Sequence, residues 1–272
     1  MNSESESHKK EVISQFTTQS TPFAELKEHK EERSLEIFHE LGCFKGGERI
    51  LDSGCGPGLV SCYLSQFVKE VTGVDLTPAM VDLAEETAKK QGLSNTRFLI
   101  GDMLSLPAKD KTFDACVGRY TFHHLEYTQS AFLEMVRVTK LGGKVIVVDA
   151  TPEANKQDEY NAFEILRDSS HTKALTKAEL LQIGSDAGLG TPKVISFGLT
   201  MKAEGLVNSS FPTKVTREHL LKLLSDDMGK NHLDFDARMQ NGALTITFPL
   251  TAFCWKVRHQ SPTKPVVPDF RS

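Results

Sequence analysis

No part of the 272-residue sequence approaches the ~20 consecutive apolar residues that a membrane-crossing helix requires, so no helical span is expected. Met1 to Lys10 are rich in Ser, Glu and Lys and lack the apolar centre of a signal peptide. Basic charge is also scarce: 32 Lys and Arg against 36 Asp and Glu leave a formal net charge of −4. A protein that grips nucleic acid by its phosphates usually carries a basic excess, so nucleic acid is not an expected partner. Cysteine supplies no framework. Cys43, Cys55, Cys62, Cys116 and Cys254 are scattered, odd in number and never spaced as C-x-x-C, which argues against a zinc site and against a disulfide scaffold. No metal is expected, and the thiols read as the reduced cysteines of a cytoplasmic protein.

What the chain has is rhythm. Residues 1 to about 12 offer almost nothing to bury and are expected to be mobile. From Val12 to Leu41 apolar residues are sparse, and the spacing of Leu35, Phe38 and Leu41 predicts one or two helices forming a flap. From Glu48 strand and helix patterns alternate. Strands are expected at Arg49–Asp52, Val71–Asp75, Arg97–Ile100, Phe113–Gly118 and Lys144–Asp149. Between them come a helix over Leu59–Val68, one capped by Thr77 and Pro78 that ends near Gly92, and one carrying Phe132, Met135, Val136 and Thr139 on one face. Strands apolar on both faces, alternating with helices, predict an α/β protein with an open, doubly wound, mostly parallel sheet.

Beyond Ala150 the pattern loosens. A polar helix is expected from Thr151-Pro152 to about Arg167, a capping box at Thr176 and Glu179, a strand over Val194–Met201, a helix over Thr216–Met228, and one or two strands in Ala243–Val257. The expected organisation is therefore a flexible N-terminus with lid helices (1–45), a sheet core (46–150), a segment completing the sheet with inserted cap helices (151–260), and a disordered Pro-rich tail (261–272).

Three acidic residues fall at successive strand ends. Asp52 opens the turn Asp52-Ser53-Gly54-Cys55-Gly56-Pro57-Gly58, whose glycines let backbone approach a ligand closely. The spacing is G-x-G-x-G, not the G-x-G-x-x-G that sets pyrophosphate on a helix N-terminus. An acidic residue two places before the first glycine suits a ligand that carries an ammonium, as S-adenosylmethionine does. Asp75 ends the second strand, where a carboxylate accepts from ribose hydroxyls in dinucleotide-binding proteins. Gly101-Asp102-Met103 ends the third, and a carboxylate beside an exposed backbone N–H suits the edge of an adenine.

The string Ile50 to Gly58, with Gly73-Val74-Asp75, Gly101-Asp102 and Phe113-Asp114, resembles the class I methyltransferases, and more narrowly the ubiquinone/menaquinone biosynthesis-type (methyltransferase type 11) family. Glu134, Arg137-Val138 and Leu141-Gly142-Gly143-Lys144 match that family's turn before the fifth strand, with Leu141 where a proline is usual. The resemblance covers residues 46–150 and implies a seven-stranded sheet whose last strand, within Leu250–Val257, runs antiparallel. It also implies S-adenosylmethionine as cofactor, held by Asp52, Gly54, Cys55, Gly56, Asp75, Leu76, Met80, Gly101, Asp102, Met103 and Arg119. Arg119, Phe122-His123-His124, Asp149, Pro152-Glu153 and Arg167 to His171 resemble a bacterial subgroup of undefined substrate.

The reaction class is in-line displacement at a methyl that is already activated, so a base is needed only for an acceptor that must lose a proton. His123 and His124 follow the fourth strand, whose end faces the reactive side of the cofactor in this fold. Each is a candidate base or substrate ligand, against the alternative of packing the next helix. Arg119 suits the methionine carboxylate, an anionic substrate or a structural ion pair. Arg167 and His171 are candidate substrate residues in the region that should roof the pocket. Phe16 and Phe23 either close over the cofactor or pack in the core. No Asn-Pro-Pro-Tyr motif and no Pro-Cys pair is present, which, with the acidic balance, favours a small-molecule acceptor over nucleic acid. A homodimer is compatible with the sequence. The competing classes are a non-catalytic cofactor-binding or regulatory protein on the same fold and a nicotinamide oxidoreductase; the glycine spacing and Asp102 count against the latter.

Overall fold

The computed structural model describes residues 3–25 and 32–258. Two helices, α1 (Ser3–Glu25) and α2 (Glu32–Gly42), precede the alternating part of the chain. There follow β1 (Arg49–Ser53), α3 (Leu59–Leu64), β2 (Glu70–Asp75), α4 (Pro78–Lys90), β3 (Thr96–Ile100), β4 (Phe113–Arg119), a single 3₁₀ turn (Phe122–His124), α5 (Thr128–Val138) and β5 (Thr139–Ala150). The second half contributes α6 (Gln157–Arg167), α7 (Lys177–Asp186), β6 (Lys193–Lys202), α8 (Ala203–Asn208), α9 (Arg217–Asp226), β7 (Arg238–Gln240) and β8 (Ala243–Lys256).

The strands form one sheet in the order β3-β2-β1-β4-β5-β8-β6, with β7 paired to the outer part of β8. β1 to β5 run parallel, and β8 is antiparallel to both β5 and β6. This is the doubly wound, mostly parallel sheet expected, with its reversed strand between β5 and β6. Burial explains the order. β1 is buried at all but its first residue, and β5 over its last six, as parallel strands covered by helices on both faces must be. β3 buries only Phe98 and forms the edge. One face packs on α5 and α7 around Phe132, Met135, Phe253 and Trp255, and the other on α2 and α3 around Phe38, Ile50 and Leu64.

Several boundaries depart from expectation. The helix after the glycine turn ends at Leu64, since Ser65 to Lys69 must return to the start of β2. The helix expected from Thr151 begins only at Gln157, because Thr151 N is tied to Pro249 O in the neighbouring strand. β5 begins at Thr139, before Gly142-Gly143, with a register shift against β4 between Phe113 and Ala115. Thr77 stands at the N-cap of α4 but its side chain makes no capping bond; its own N–H is taken by Asp75 Oδ1 at 2.9 Å. β8 is longer than expected and joins β7 through Asn241 and Gly242, both at positive φ.

The N-terminus is the largest correction. Residues expected to be mobile belong to α1, where His8, Val12 and Phe16 lie four apart on one face. His8 Nε2 donates to the His124 carbonyl at 2.9 Å, and Lys9 Nζ reaches Asp102 Oδ2 at 2.6 Å. Phe23 and the 261–272 tail lie outside the residues whose side chains are described. Among the described residues, no helix is long and apolar enough to cross a membrane.

The capping box on α7 forms as expected. Thr176 Oγ1 accepts from Glu179 N at 3.2 Å, and the Glu179 carboxylate accepts from Thr176 N at 2.7 Å. Thr176→Ala is expected to lower stability by about 1 kcal/mol, measured by urea denaturation, because the Glu179 amide loses its acceptor. An unchanged midpoint would show that water replaces the box at no cost.

Candidate active site

Parallel strands end on one side of the sheet, and a cleft opens there between β1, β2, β3 and β4. It encloses about 1110 Å³, its mouth included, on the scale of small-molecule sites at roughly 300–1,000 Å³. The Gly54 and Cys55 amides both donate to Val74 O, which closes the glycine turn against β2. Gly54 has φ +71°, and a Cβ there would lie 2.4 Å from Thr121 Cγ2, so both conformation and space demand glycine. Gly56 has φ +50° and faces open space, where a Cβ would meet nothing within 4 Å.

Asp75 is fixed between the turn and α4: its Oδ2 accepts from Gly56 N at 2.8 Å and its Oδ1 from Thr77 N. Each oxygen keeps a lone pair for a ligand. Burial raises its pKa against these bonds. Asp52 is buried behind the turn and accepts from Ser61 Oγ at 2.7 Å. Desolvation by burial, only partly offset by Ser61 and by the charge of Arg119, lifts its pKa to about 6. Asp102 accepts from Leu104 N through Oδ1 and pairs with Lys9 through Oδ2.

Of the residues read from the sequence as cofactor ligands, Asp52, Gly54, Cys55, Gly56, Asp75, Leu76, Met80, Asp102, Met103 and Arg119 all line this cleft. Gly101 is not among its lining residues; it sits against Pro107 and Val74, where a Cβ would come within 2.9 Å of each. Arg119 is half-buried, its desolvation lowers its pKa, and it donates to Ser34 Oγ at 3.0 Å. His8, Lys9, Val12 and Phe16 of α1 also line the cleft; for Phe16 this is the first of the two places expected of it, while His8, Lys9 and Val12 were not expected there. The signal was present in their four-residue spacing.

A second cavity of about 760 Å³ lies beside the first, and Phe16, Tyr120 and His124 line both. His123, Glu164, Arg167 and Asp168 border it on one side. Leu199, Met201, Leu206, Phe248 and Leu250 line it elsewhere. His123 Nδ1 lies 2.6 Å from Asp149 Oδ1, and Asp149 Oδ2 accepts from Phe122 N at 2.8 Å. Burial pulls the His123 pKa down, but the Asp149 charge and hydrogen bond outweigh it, and the net is a rise. In His124, Nδ1 faces the Ser170 carbonyl at 3.1 Å, so the proton sits on Nδ1. Burial, then the neighbouring His123 charge, draws the His124 pKa down to about 4.

The two candidate substrate residues part company. Arg167 lines the second cavity, though its fork is closed on Glu164 by bonds of 2.9 and 2.5 Å. His171 lines neither cavity. Its ring is buried, stacked at 5.4 Å on His123 and bonded through Nε2 to Asn161 Oδ1 at 2.7 Å. Three histidines gather here, yet among the described residues no group of three or more His, Cys, Asp or Glu is arranged to hold a metal ion.

Comparison with known proteins agrees with this geometry. The methyltransferase domain profile matches residues 51–147, from β1 to β5. An uncharacterized methyltransferase of Bacillus subtilis (strain 168), YcgJ, is 34% identical over 60% of this chain and 68% of the relative. Its crystal structure superposes with a TM-score of 0.75 at 27% identity, covering 84% of this chain and all of the other. A demethylmenaquinone methyltransferase of Thermus thermophilus is 34% identical over 42% of this chain and 52% of its own length. Fold, glycine turn and relatives converge: the chain belongs to the methyltransferase domain family of class I, S-adenosylmethionine-dependent methyltransferases, and is an enzyme.

Proposed function

We propose that the enzyme holds S-adenosylmethionine in the first cavity and methylates a small molecule held in the second. The observation that carries this reading is the junction: Phe16, Tyr120 and His124 line both cavities, so a group leaving one meets the other directly. The residues of the first cavity fit the cofactor part by part. Asp75 presents two fixed carboxylate oxygens for ribose hydroxyls. Met103 and Asp102 flank the place for adenine, with Asp102 shared with Leu104 N and Lys9. Asp52 supplies the negative charge for the ammonium, Arg119 the positive charge for the carboxylate, and the open side of Gly56 admits the chain between them. When bound, the cofactor supplies a methyl group on a positively charged sulfur; the protein's part is to align the acceptor and exclude water. Phe16 and Val12 of α1 supply the apolar cover. The menaquinone-precursor enzyme among the relatives acts on a small molecule, and the net charge of −4 accords with an acceptor other than nucleic acid.

Isothermal titration with S-adenosylmethionine and with NADH tests the reading, and binding of NADH alone would overturn it. A pH series adds a sharper expectation. With its pKa at about 6, Asp52 is partly protonated below that pH, and an ammonium favours its ionised form. Affinity for S-adenosylmethionine is therefore expected to be level near about pH 7 to 7.5, before the ligand's own ammonium begins to lose its proton at about pH 8, and to fall by up to about tenfold per pH unit below about pH 6, with proton release on binding there. A profile that stays flat down to about pH 5 removes Asp52 from the ammonium.

A further inference from the structure

Resting on the assignment of the second cavity to the methyl acceptor, we propose that His123, held by Asp149, is the general base of the reaction. The acceptor it serves is a neutral molecule with an apolar body and an ionisable hydroxyl, phenolic or enolic.

The acceptor class follows from the walls. Leu199, Met201, Leu206, Phe248 and Leu250 suit an apolar body, and every charge in the cavity is already answered or negative. Arg167 is held side-on by Glu164 through Nε and Nη2, and Asp168 stands beside it with one oxygen taken by Ser170. A carboxylate or phosphate entering here would meet two fixed carboxylates and one guanidinium whose charge Glu164 already matches, at the cost of its own desolvation. A neutral hydroxyl carries no such penalty. It is, however, a poor nucleophile until its proton is removed.

His123 is arranged for that removal. Asp149 is 2% exposed and holds Nδ1 at 2.6 Å while its second oxygen is fixed by Phe122 N, so the imidazole is oriented and Nε2 is the nitrogen that titrates. The side chain is 14% exposed and lines the acceptor cavity. The charged and titratable groups around it are Asp149 on β5, His124 beside it, Glu164 and Arg167 on α6, and Asp168 and His171 after that helix. His124 takes another part. With Nδ1 on the Ser170 carbonyl and its ring edge-on to Phe16 at 4.9 Å, it is a wall between the cavities, a positioning residue.

In the step, the acceptor O–H bond breaks and its proton passes to His123 Nε2. The electron pair left on oxygen forms the new bond to the methyl carbon, the carbon–sulfur bond breaks with its pair returning to sulfur, and the positive charge ends on the imidazolium beside Asp149. An enolic or phenolic acceptor directs the same electrons through oxygen or through the adjacent carbon, and the product shows which.

The experiment measures transfer from methyl-labelled S-adenosylmethionine to 2-naphthol, 4-nitrophenol and benzoylacetone, with 2-naphthoic acid as the anionic counterpart. The wild type is expected to methylate the hydroxyl acceptors in preference to the carboxylate. His123→Ala is expected to lower kcat with 2-naphthol by about 100-fold or more, while leaving S-adenosylmethionine affinity within about threefold. With 4-nitrophenol, ionised at an alkaline assay pH, the loss should shrink to less than about tenfold, because no proton remains to be taken. Asp149→Asn should shift the acid limb of the kcat profile to lower pH. In NMR titration it should lower the His123 pKa by about one unit or more, whether or not the variant turns over. Wild-type transfer confined to 2-naphthoic acid, or absent with every hydroxyl probe while S-adenosylmethionine still binds, overturns the acceptor class. Equal losses for ionised and neutral phenols, or a His123 titration indifferent to Asp149→Asn, overturn the base. Failure of the wild type to bind S-adenosylmethionine at all would instead overturn the underlying assignment of the cavities.

Discussion

Trp255→Ala is expected to destabilise the protein by roughly 3–5 kcal/mol, the usual cost of truncating a large aromatic in a packed core. The indole of β8 is 1% exposed, stacked on Phe253 at 5.3 Å and edge-on to Phe132 at 5.0 Å. It pairs with Val145 of β5 in register and lies so close beneath α7 that a Cβ on Gly184 would fall 2.2 Å from Nε1. Removing it opens a void between the reversed strand and two helices at once. Against a total of about 5–15 kcal/mol, such a loss is a large share. The melting temperature should fall by roughly 6–20 °C, at about 2–4 °C per kcal/mol for a chain of this class. The indole N–H has no hydrogen-bond partner among the described residues, so Trp255→Phe forfeits only volume and should cost well under half as much. Gly184→Ala supplies a second check. Alone it forces a methyl into the indole and destabilises; in the Trp255→Ala background the methyl enters the void, so the two changes are expected to couple with opposite sign to their separate effects. Circular dichroism is the proper monitor, because Trp255 is the chain's single tryptophan and fluorescence is lost with it. A melting point within a degree or two of wild type would place the burial of this strand in doubt.

The alternating half of the fold was legible because its signals are local. A parallel strand in such a sheet is a short, largely apolar run ended by glycine or aspartate, and β1 to β5 each show one, even β3 at the exposed edge. The cofactor side of the site was legible for the same reason: Asp52, Asp75 and Asp102 end neighbouring strands, and parallel alignment alone brings such ends together. What escaped depends on pairings between distant segments. Phe122-His123-His124 and Asp149 were both noticed, yet their union requires the register of β4 on β5, in which Arg119 stands opposite Val148 and Tyr120 N donates to Val148 O. The apolar wall of the second cavity comes from β6, α8 and β8, which meet only through an antiparallel return. β7 is a different kind of miss, since Asn241-Gly242 is a strong local turn signal and the hairpin follows from it. The first turns of α1 were missed because serine, glutamate and lysine dominate them, whereas its part from Val12 onward fell where helices were expected. A helix that contributes His8, Lys9 and Phe16 to a cleft needs no broad apolar face.

Asp75→Ala is expected to weaken S-adenosylmethionine binding by roughly 1–3 kcal/mol, or about 5- to 150-fold, the scale for leaving buried polar partners unmatched. The size of the effect has two sources. The carboxylate offers its remaining lone pairs to the ribose hydroxyls, and it also ties the Gly56 amide of the glycine turn to the Thr77 amide at the start of α4. Its loss therefore removes a ligand contact and loosens the turn that cradles the rest of the cofactor. A thermodynamic cycle separates the two. Wild type and variant are titrated with S-adenosylhomocysteine and with its 2′,3′-dideoxy analogue. If Asp75 bonds the ribose, the wild type loses affinity when the hydroxyls are removed, whereas the variant, already without their partner, discriminates little. If Asp75 only stiffens the turn, both proteins lose the same factor. Folding is a further control, because the two amides lie at the edge of the cleft, where water can take the place of the carboxylate. The melting point should move far less than for Trp255→Ala. Unchanged affinity for both ligands would take Asp75 out of the site and, with it, the strongest single reason for setting the ribose at the tip of β2.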